Sequence, residues 1–265
     1  TLEKKSRFEK IGTGFFFMCN HKRIYASSTV NYYKRNMIFK HLPSFLKYTL
    51  PLCGCMIIGI GTYLMSREDT MYLKNANYEY MNNIYAMYPT QNADIVMLGD
   101  SHTHALDWSE LYNNPAMVNR GIRGDIIPGF IARLPEIEKL KPKIVCIMGG
   151  INDLYAHYSV DEIIEHYRVL IRKVKNDKRI IIVQSTLPVC ETYSEAEVIN
   201  KKVYQLNQKL QDVCQKEGIM YCDIYRAISQ NGYLPLEYSI DGLHLNAQGY
   251  KQWHQVLTPI LEKNN

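Results

Sequence analysis

The sequence predicts an α/β fold in which helices cover both faces of a parallel β-sheet, with one transmembrane helix before it. Three observations support this fold class. Short apolar runs alternate with longer stretches of helical periodicity after residue 92, as is typical of βαβ units. A chain of 265 residues, 46% of them hydrophobic, can bury one sizeable core. An uncharged segment of 19 residues precedes the alternating part.

The charge of the chain is concentrated at its beginning. The formal net charge is +5, but residues 1–47 hold ten Lys and Arg side chains against two Glu, so the remainder is mildly acidic. We expect this basic segment to be cytoplasmic or disordered. A nucleic-acid-binding protein carries its basic surface on the folded domain, so we expect no nucleic-acid partner. The seven cysteines form no Cys-x-x-Cys pair and no metal-ligand spacing, so no metal site is predicted.

Residues 48–66 are predicted to form a membrane anchor. Their sequence is YTLPLCGCMIIGIGTYLMS, and a helix of this length matches a hydrocarbon core of about 30 Å. Basic residues precede the segment and acidic residues follow it closely, which places the folded domain on the extracytoplasmic side of a single-pass protein. A buried helix of a soluble domain and a cleaved signal peptide are the alternatives, although no clear small-x-small cleavage site follows.

The folded part is predicted in two sections. Residues 67–92 are polar and rich in tyrosine, and we interpret them as a helical stalk that packs onto a domain comprising residues 93–265. Strands are predicted at 94–99, 116–119, 143–148, 179–185 and 219–223, and helices at 105–112, 126–140, 159–176, 195–217 and 246–262. Ligands of such sheets bind at the carboxyl ends of the strands, so the residues after each strand are candidate site residues.

Four polar motifs follow strands or precede the last helix. They are GDS with Ser101, NRGIRGD with Gly124, GIND with Asn152, and DGLH with Asp241 and His244. Acyl transfer needs a nucleophile, a base, a group that orients the base, and donors for an oxyanion. Because Asp241 and His244 are three residues apart, one turn can present both, with His244 as the base for Ser101.

The same motifs supply donors for an oxyanion. The backbone N–H of Ser101 lies where a helix is expected to begin, and such amides are unpaired. Gly124 lets the main chain approach a ligand closely, because glycine has no Cβ atom. The side-chain amide of Asn152 is a third donor. These residues predict an oxyanion hole beside the nucleophile.

The four motifs over residues 93–262 resemble those of the SGNH (GDSL-type) hydrolase superfamily in their order and in their residues. The nearest resemblance is to the branch of the platelet-activating-factor acetylhydrolase catalytic subunits, whose second motif also reads Asn-x-Gly-Ile-x-Gly-Asp. The resemblance implies a three-layer α/β/α flavodoxin-like sandwich with a five-stranded parallel sheet. It also implies hydrolysis through an acyl-serine without metal or organic cofactor. The implied triad is Ser101, Asp241 and His244, and the implied oxyanion hole is Ser101, Gly124 and Asn152.

Three further residues are candidate substrate contacts. Arg123 can bind an anionic group of a substrate or, equally, form an ion pair with Asp125 or Asp153. Tyr193 lies in the segment after the fourth strand, which is expected to form a wall of the pocket. His102 stands where hydrolytic members of the superfamily commonly have an aliphatic residue, and GDSH is similar to the SGNH domains attached to membrane acyltransferases.

These patterns predict a serine esterase that removes short acyl groups, acetyl above all, from carbohydrate or small-molecule esters. The same site fits an O-acyltransferase acting on cell-surface glycans, and it fits a lysophospholipase or thioesterase. A surface or scaffold protein without activity is a third class, which predicts that Ser101 does not react with a fluorophosphonate. The expected partners are a small ester or glycan ester and, through residues 48–66, a membrane.

Overall fold

A five-stranded parallel β-sheet lies at the centre of residues 70–264, which are the residues described by a computed structural model. The strands are β1 (Ile95–Gly99), β2 (Met117–Gly121), β3 (Ile144–Met148), β4 (Ile180–Gln184) and β5 (Met220–Cys222). Their order is β2-β1-β3-β4-β5, and every neighbouring pair is parallel. This is the flavodoxin-like order, so the predicted sheet is confirmed.

Helices connect the strands and pack on the sheet. They are α1 (Ala76–Met87), α2 (Ser101–His104), α3 (Trp108–Leu111), α4 (Ile127–Ala132), α5 (Leu134–Lys139), α6 (Ile151–Tyr155), α7 (Val160–Val174), α8 (Ala196–Glu217), α9 (Ile224–Ile228) and α10 (Ala247–Asn264). Short 3-10 helices occupy Met71–Lys74 and Leu236–Tyr238.

The hydrophobic core consists of two clusters, one on each face of the sheet. Alternate strand residues point to opposite faces, so Val96 and Leu98 of β1 belong to one cluster and Ile95 and Met97 to the other. The first cluster includes buried residues of α4 to α8, and the second includes buried residues of α3, α9 and α10. Burial on both faces explains why the strands are almost continuously apolar in sequence.

Some predicted boundaries differ from the structure. The helix predicted over 126–140 is two helices, because the chain leaves helical geometry at Arg133 and Pro135 lies in the first turn of α5. Strand β2 extends to Gly121, two residues beyond the predicted end, because it pairs with β1 up to Gly99. The helix predicted over 105–112 begins earlier, as α2 at Ser101, and resumes as α3.

The segment interpreted as a stalk contains α1, and it packs against the rest of the domain. The hydroxyl of Tyr78 donates to the carbonyl of Gly129 at 3.3 Å, and the hydroxyl of Tyr85 donates to the carbonyl of Gly121. The guanidinium of Arg120 lies 4.8 Å from the centre of the Tyr85 ring. Helix α1 is therefore held against the carboxyl end of β2.

The predicted basic segment, residues 1–47, and the predicted anchor, residues 48–66, lie outside the described residues. No helix within residues 70–264 is both long enough and apolar enough to cross a membrane.

Candidate active site

Ser101, His244 and Asp241 form a continuous chain of hydrogen bonds. Oγ of Ser101 lies 3.1 Å from Nε2 of His244, and Nδ1 of His244 lies 2.6 Å from Oδ2 of Asp241. A carboxylate only accepts, so Nδ1 carries the hydrogen and Nε2 is free to accept from the serine hydroxyl. The structure thus brings together the three residues that the sequence proposes as a triad, in the geometry of a nucleophile, a base and an orienting acid.

The loop that presents Asp241 and His244 is fixed by its own hydrogen bonds. Oδ1 of Asp241 accepts from the backbone N–H groups of Leu243, at 3.0 Å, and His244, at 2.7 Å. Gly242 has a φ of +90°, a left-handed conformation that favours glycine. Oγ of Ser239 accepts from the N–H of Gly242 at 2.8 Å. The side chains of Asp241 and His244 are therefore held in a fixed orientation by their own loop.

These hydrogen bonds also determine the charge of Asp241. Partial burial opposes ionisation, but the donors on the His244 ring and on the His244 and Leu243 backbone outweigh it and hold the pKa of Asp241 at about 2. The carboxylate is therefore ionised at neutral pH and accepts the hydrogen bond from Nδ1 of His244.

Ser101 lies at a tight junction between β1 and α2. The side chain of Asp100 caps α2 by accepting from the N–H of His102 at 3.0 Å. A Cβ at Gly99 would lie 2.7 Å from the carbonyl oxygen of Met148, so the strand end has no room for a side chain. Ser101 is the first residue of the helix, and no carbonyl oxygen among residues 70–264 accepts from its N–H.

Gly124 and Asn152 follow the two strands that flank β1. Gly124 has a φ of +71° in a turn closed by the N–H of Asp125 and the carbonyl of Ile122 at 3.1 Å. The N–H of Gly124 has no backbone acceptor within the described part of the chain. Nδ2 of Asn152 donates to the carbonyl of Asp125 at 3.0 Å, which joins the two loops and leaves one amide hydrogen for a ligand.

Sequence reasoning missed Arg133, which holds these loops in place. The buried guanidinium donates to Oδ2 of Asp125 at 2.9 Å, to the carbonyl of Arg120 at 2.7 Å and to the carbonyl of Gly99 at 3.1 Å. Burial raises the pKa of Asp125 to about 6 although Arg133 opposes the shift. In the sequence, the only indication of this role is that an arginine interrupts the apolar stretch before α5.

A similar missed contact comes from the start of α1. Asn75 caps this helix, and its Nδ2 donates to the carbonyl of Arg123 at 2.8 Å. The same amide lies where a Cβ at Gly124 would approach it to 3.3 Å. The loop of Gly124 is therefore supported from a segment 48 residues earlier in the chain.

Two of the predicted substrate contacts lie at the surface of the site. Arg123 is exposed and forms no ion pair with a described carboxylate; Asp125 pairs with Arg133 instead. Tyr193 is half-buried and packs against Gly242, and together with Asp241 it lines a cavity of about 250 Å³. Both positions are compatible with contact to a bound substrate.

The third predicted contact, His102, is buried beneath the surface of the site in this structure. Its side chain is 1% exposed, and Nε2 lies 3.0 Å from the carbonyl of Leu243. The ring occupies the space beneath the Asp241–His244 loop, so it does not reach a substrate.

Two buried carboxylates lie behind the site. Asp100 and Asp153 are 0% exposed, and Oδ1 of Asp153 accepts from the N–H of Ile127 at 3.0 Å. Burial raises the pKa of Asp153 to about 8. Asp100 likewise accepts from the N–H of His102, so both carboxylates hold backbone N–H groups. Within residues 70–264, no three His, Cys, Asp or Glu side chains are grouped so that they could hold a metal ion.

Comparison with known proteins gives matches to the part of the chain that contains this site. Residues 97–252 match the model of a family described as GDSL-like lipase/acylhydrolase. The chain is also 26% identical over 164 residues to an N-acylneuraminate cytidylyltransferase of Streptococcus agalactiae serotype III (strain NEM316). That alignment covers 62% of this chain and 38% of the relative, so the chain spans well under half of the relative's length.

Solved structures share the fold at low sequence identity. A GDSL-like lipase from Bacteroides thetaiotaomicron is 22% identical with a TM-score of 0.61, covering 71% of this chain and 98% of the other. A protein from Streptococcus pneumoniae described as a platelet activating factor is 22% identical with a TM-score of 0.59, covering 78% and 99%. An acetylxylan esterase from Geobacillus stearothermophilus is 17% identical with a TM-score of 0.53, covering 64% and 95%.

Proposed function

The chain belongs to the GDSL-like lipase/acylhydrolase family and is an ester-bond hydrolase, and from this premise we propose that Ser101, His244 and Asp241 are its catalytic triad. The observation that carries the proposal is the unbroken chain from Oγ through the imidazole to the carboxylate, at 3.1 and 2.6 Å. Such a chain activates a serine because the base can take its proton as the new bond forms.

In the proposed reaction, Oγ of Ser101 attacks the ester carbonyl while Nε2 of His244 takes the hydroxyl proton. The C–O bond to the alcohol then breaks, and His244 gives the proton to the leaving oxygen. Water attacks the acyl-serine by the same route in reverse, releasing the acid and restoring the Ser101 hydroxyl. Asp241 remains ionised throughout and stabilises the imidazolium.

The negative oxygen of each tetrahedral intermediate is proposed to accept hydrogen bonds from three donors. These are the backbone N–H groups of Ser101 and Gly124 and the free amide hydrogen of Asn152. The two backbone donors lack protein acceptors among residues 70–264, so they need not break an existing backbone bond to bind the oxyanion. Donors that are oriented in advance are the largest source of stabilisation in this kind of chemistry.

We propose short-chain esters, acetyl above all, on carbohydrates as the substrates. The half-exposed Asp241 and the cavity beside Tyr193 leave the site open to a polar alcohol of some size. The acetylxylan esterase of the same fold acts on such an ester, and the N-acylneuraminate cytidylyltransferase acts on an acidic sugar. The exposed Arg123 favours acidic sugars within this class, because its guanidinium is free to bind a carboxylate.

The experiment that tests this function uses the full chain and its Ser101→Ala variant. We expect the unaltered protein to hydrolyse p-nitrophenyl acetate and to be labelled once by a fluorophosphonate, and the variant to do neither. The values of kcat/KM for acetylated xylo-oligosaccharides, O-acetylated N-acylneuraminate and a lysophospholipid then show which alcohol portion of the ester the enzyme prefers. Full activity of Ser101→Ala would refute the proposed triad, and a preference for the lysophospholipid would refute the carbohydrate substrate.

We also propose that residues 48–66 anchor the protein, with the hydrolase domain on the extracytoplasmic side. The support is the uncharged length of the segment and the basic excess before it. Expressed with this segment, the protein should sediment with membranes after a carbonate wash, and protease added outside sealed cells should digest the domain. Release by carbonate would contradict the anchor.

A further inference from the structure

His102 follows the nucleophile directly, yet its imidazole is almost completely buried. A buried polar ring is costly unless its nitrogens have partners. Nδ1 lies 3.4 Å from Oδ1 of Asp100, and Nε2 lies 3.0 Å from the carbonyl oxygen of Leu243. Because a carbonyl oxygen only accepts, Nε2 must carry a hydrogen. The ring therefore donates across 141 residues of sequence to the loop that carries the base.

The acceptor is the peptide group between Leu243 and His244. His102 holds the carbonyl side of this group, and Oδ1 of Asp241 holds its N–H side at 2.7 Å. The peptide plane that precedes the base is thus fixed from both directions. Its rotation would move the imidazole of His244 relative to Oγ of Ser101, since the Cα of His244 belongs to that plane.

The other end of this connection is equally fixed. The backbone carbonyl of His102 accepts from the hydroxyl of Tyr250 at 2.7 Å, and its N–H donates to Asp100. The rings of His102 and His244 lie with their centres 5.5 Å apart. The charged and titratable groups around His102 are Asp100, Asp241, His244 and Tyr250. Burial acts against a charge on the ring, but Asp100 outweighs it and the pKa of His102 is raised.

We propose that His102 is a positioning residue, which sets the orientation of His244 through the hydrogen bond from its Nε2 to the carbonyl of Leu243. The proposal rests on the triad proposed above. It assigns His102 no contact with substrate. The hydrogen bond from His102 sets the distance and angle between Nε2 of His244 and Oγ of Ser101. Small displacements of reacting groups lower the rate of reaction strongly.

The test compares His102→Gln with His102→Asn in the full chain. A glutamine amide can reach the position of Nε2 and donate to Leu243, whereas the asparagine amide is one carbon shorter and cannot. We expect His102→Gln to keep kcat for p-nitrophenyl acetate within about threefold, and His102→Asn to lose about 10- to 100-fold. KM should change by less than about threefold in both variants, because His102 does not contact the substrate.

The matched control is the same pair of substitutions at His104. Nδ1 of His104 lies 3.1 Å from the carbonyl of Gly121, so it also contacts a backbone carbonyl, but away from the catalytic loop. Both His104 variants should retain kcat. Equal kcat for His102→Gln and His102→Asn, or a loss carried by KM alone, would overturn the proposal. Ser101→Ala distinguishes failure of this inference from failure of the proposed triad. If Ser101→Ala is inactive while the two His102 variants have the same kcat, the proposed triad is retained and only the role of His102 is refuted.

Discussion

The guanidinium of Arg133 donates to the carboxylate of Asp125 at 2.9 Å, and both side chains are almost inaccessible to solvent. The same guanidinium donates to carbonyls at the ends of β1 and β2. Arg133 therefore joins the strand that leads to Ser101, the strand that leads to Gly124, and the loop that carries Asp125. One ion pair in the interior sets the spacing of these parts of the site.

We expect Arg133→Met to reduce the free energy of unfolding by about 3–5 kcal/mol, because it leaves the Asp125 carboxylate buried without its partner. Urea unfolding at pH 7 measures the change. The control is Lys139→Met, which removes an exposed pair with Glu136 and should cost less than about 1 kcal/mol. Similar losses for both variants would contradict the role of the buried pair.

The pH dependence of stability should contain a contribution from Asp153. Its pKa is about 8 in the folded protein and 3.8 in a model peptide, so the folded state binds an extra proton between these values. The free energy of unfolding therefore falls as the pH rises from about 4 to 8, at most by about 1.4 kcal/mol per pH unit from this group. Urea unfolding at pH 5, 6.5 and 8 measures the slope.

Asp153→Asn keeps an acceptor for the N–H of Ile127 but cannot ionise, so its slope between pH 5 and 8 should be shallower than that of the unaltered protein. Asp125, with a pKa of about 6, contributes in the same direction to both proteins, so the difference between the two slopes reports Asp153 together with its coulombic interaction with Asp125. Parallel pH profiles would show that Asp153 does not titrate in this range.

The proposed oxyanion hole predicts a specific kinetic defect for Asn152→Ala. Loss of one such donor lowers kcat by about 100- to 1000-fold in enzymes of this kind, with little change in KM. Steady-state hydrolysis of p-nitrophenyl acetate measures both constants. Asn176→Ala is the control and should be unaffected, because Asn176 is exposed in the loop before the amino end of β4, whereas the site lies at the carboxyl ends of the strands. A rise in KM with an unchanged kcat would remove Asn152 from the oxyanion hole.

Arg123→Gln should change selectivity between esters. For an acetylated sugar that carries a carboxylate, we expect kcat/KM to fall about tenfold, which corresponds to roughly 1.4 kcal/mol of lost charge-assisted hydrogen bonding. Hydrolysis of the uncharged p-nitrophenyl acetate should not change. Arg172→Gln, on the exposed face of α7, controls for the loss of one positive charge. Equal effects on both esters would argue against a carboxylate contact at Arg123.

The sheet and the proximity of Ser101, Asp241 and His244 were predictable, because the strands and the motifs at their ends are visible as local patterns. Apolar runs of five or six residues identify buried parallel strands, and the carboxyl ends of such strands lie on one edge, so Ser101, Gly124 and Asn152 had to be neighbours. The role of Arg133 was not predictable, because its three acceptors come from separate parts of the chain. The burial of His102 was not predictable either, because it depends on how the loop that carries Asp241 and His244 packs over α2. The periodicity of the sequence does not show how a loop packs.

The hydrogen bond from Asn75 to the carbonyl of Arg123 limits how far the protein can be shortened from its N-terminal side without loss of activity. A protein shortened to begin at residue 93, where the alternating pattern starts, would lose that bond and the two tyrosine hydroxyls that α1 supplies. We expect such a truncated protein to retain the sheet but to be a poor catalyst, because the turn that contains Gly124 would no longer be supported by the side chain of Asn75. The hydrolase unit is thus larger than its motifs suggest, and it includes Asn75 and α1.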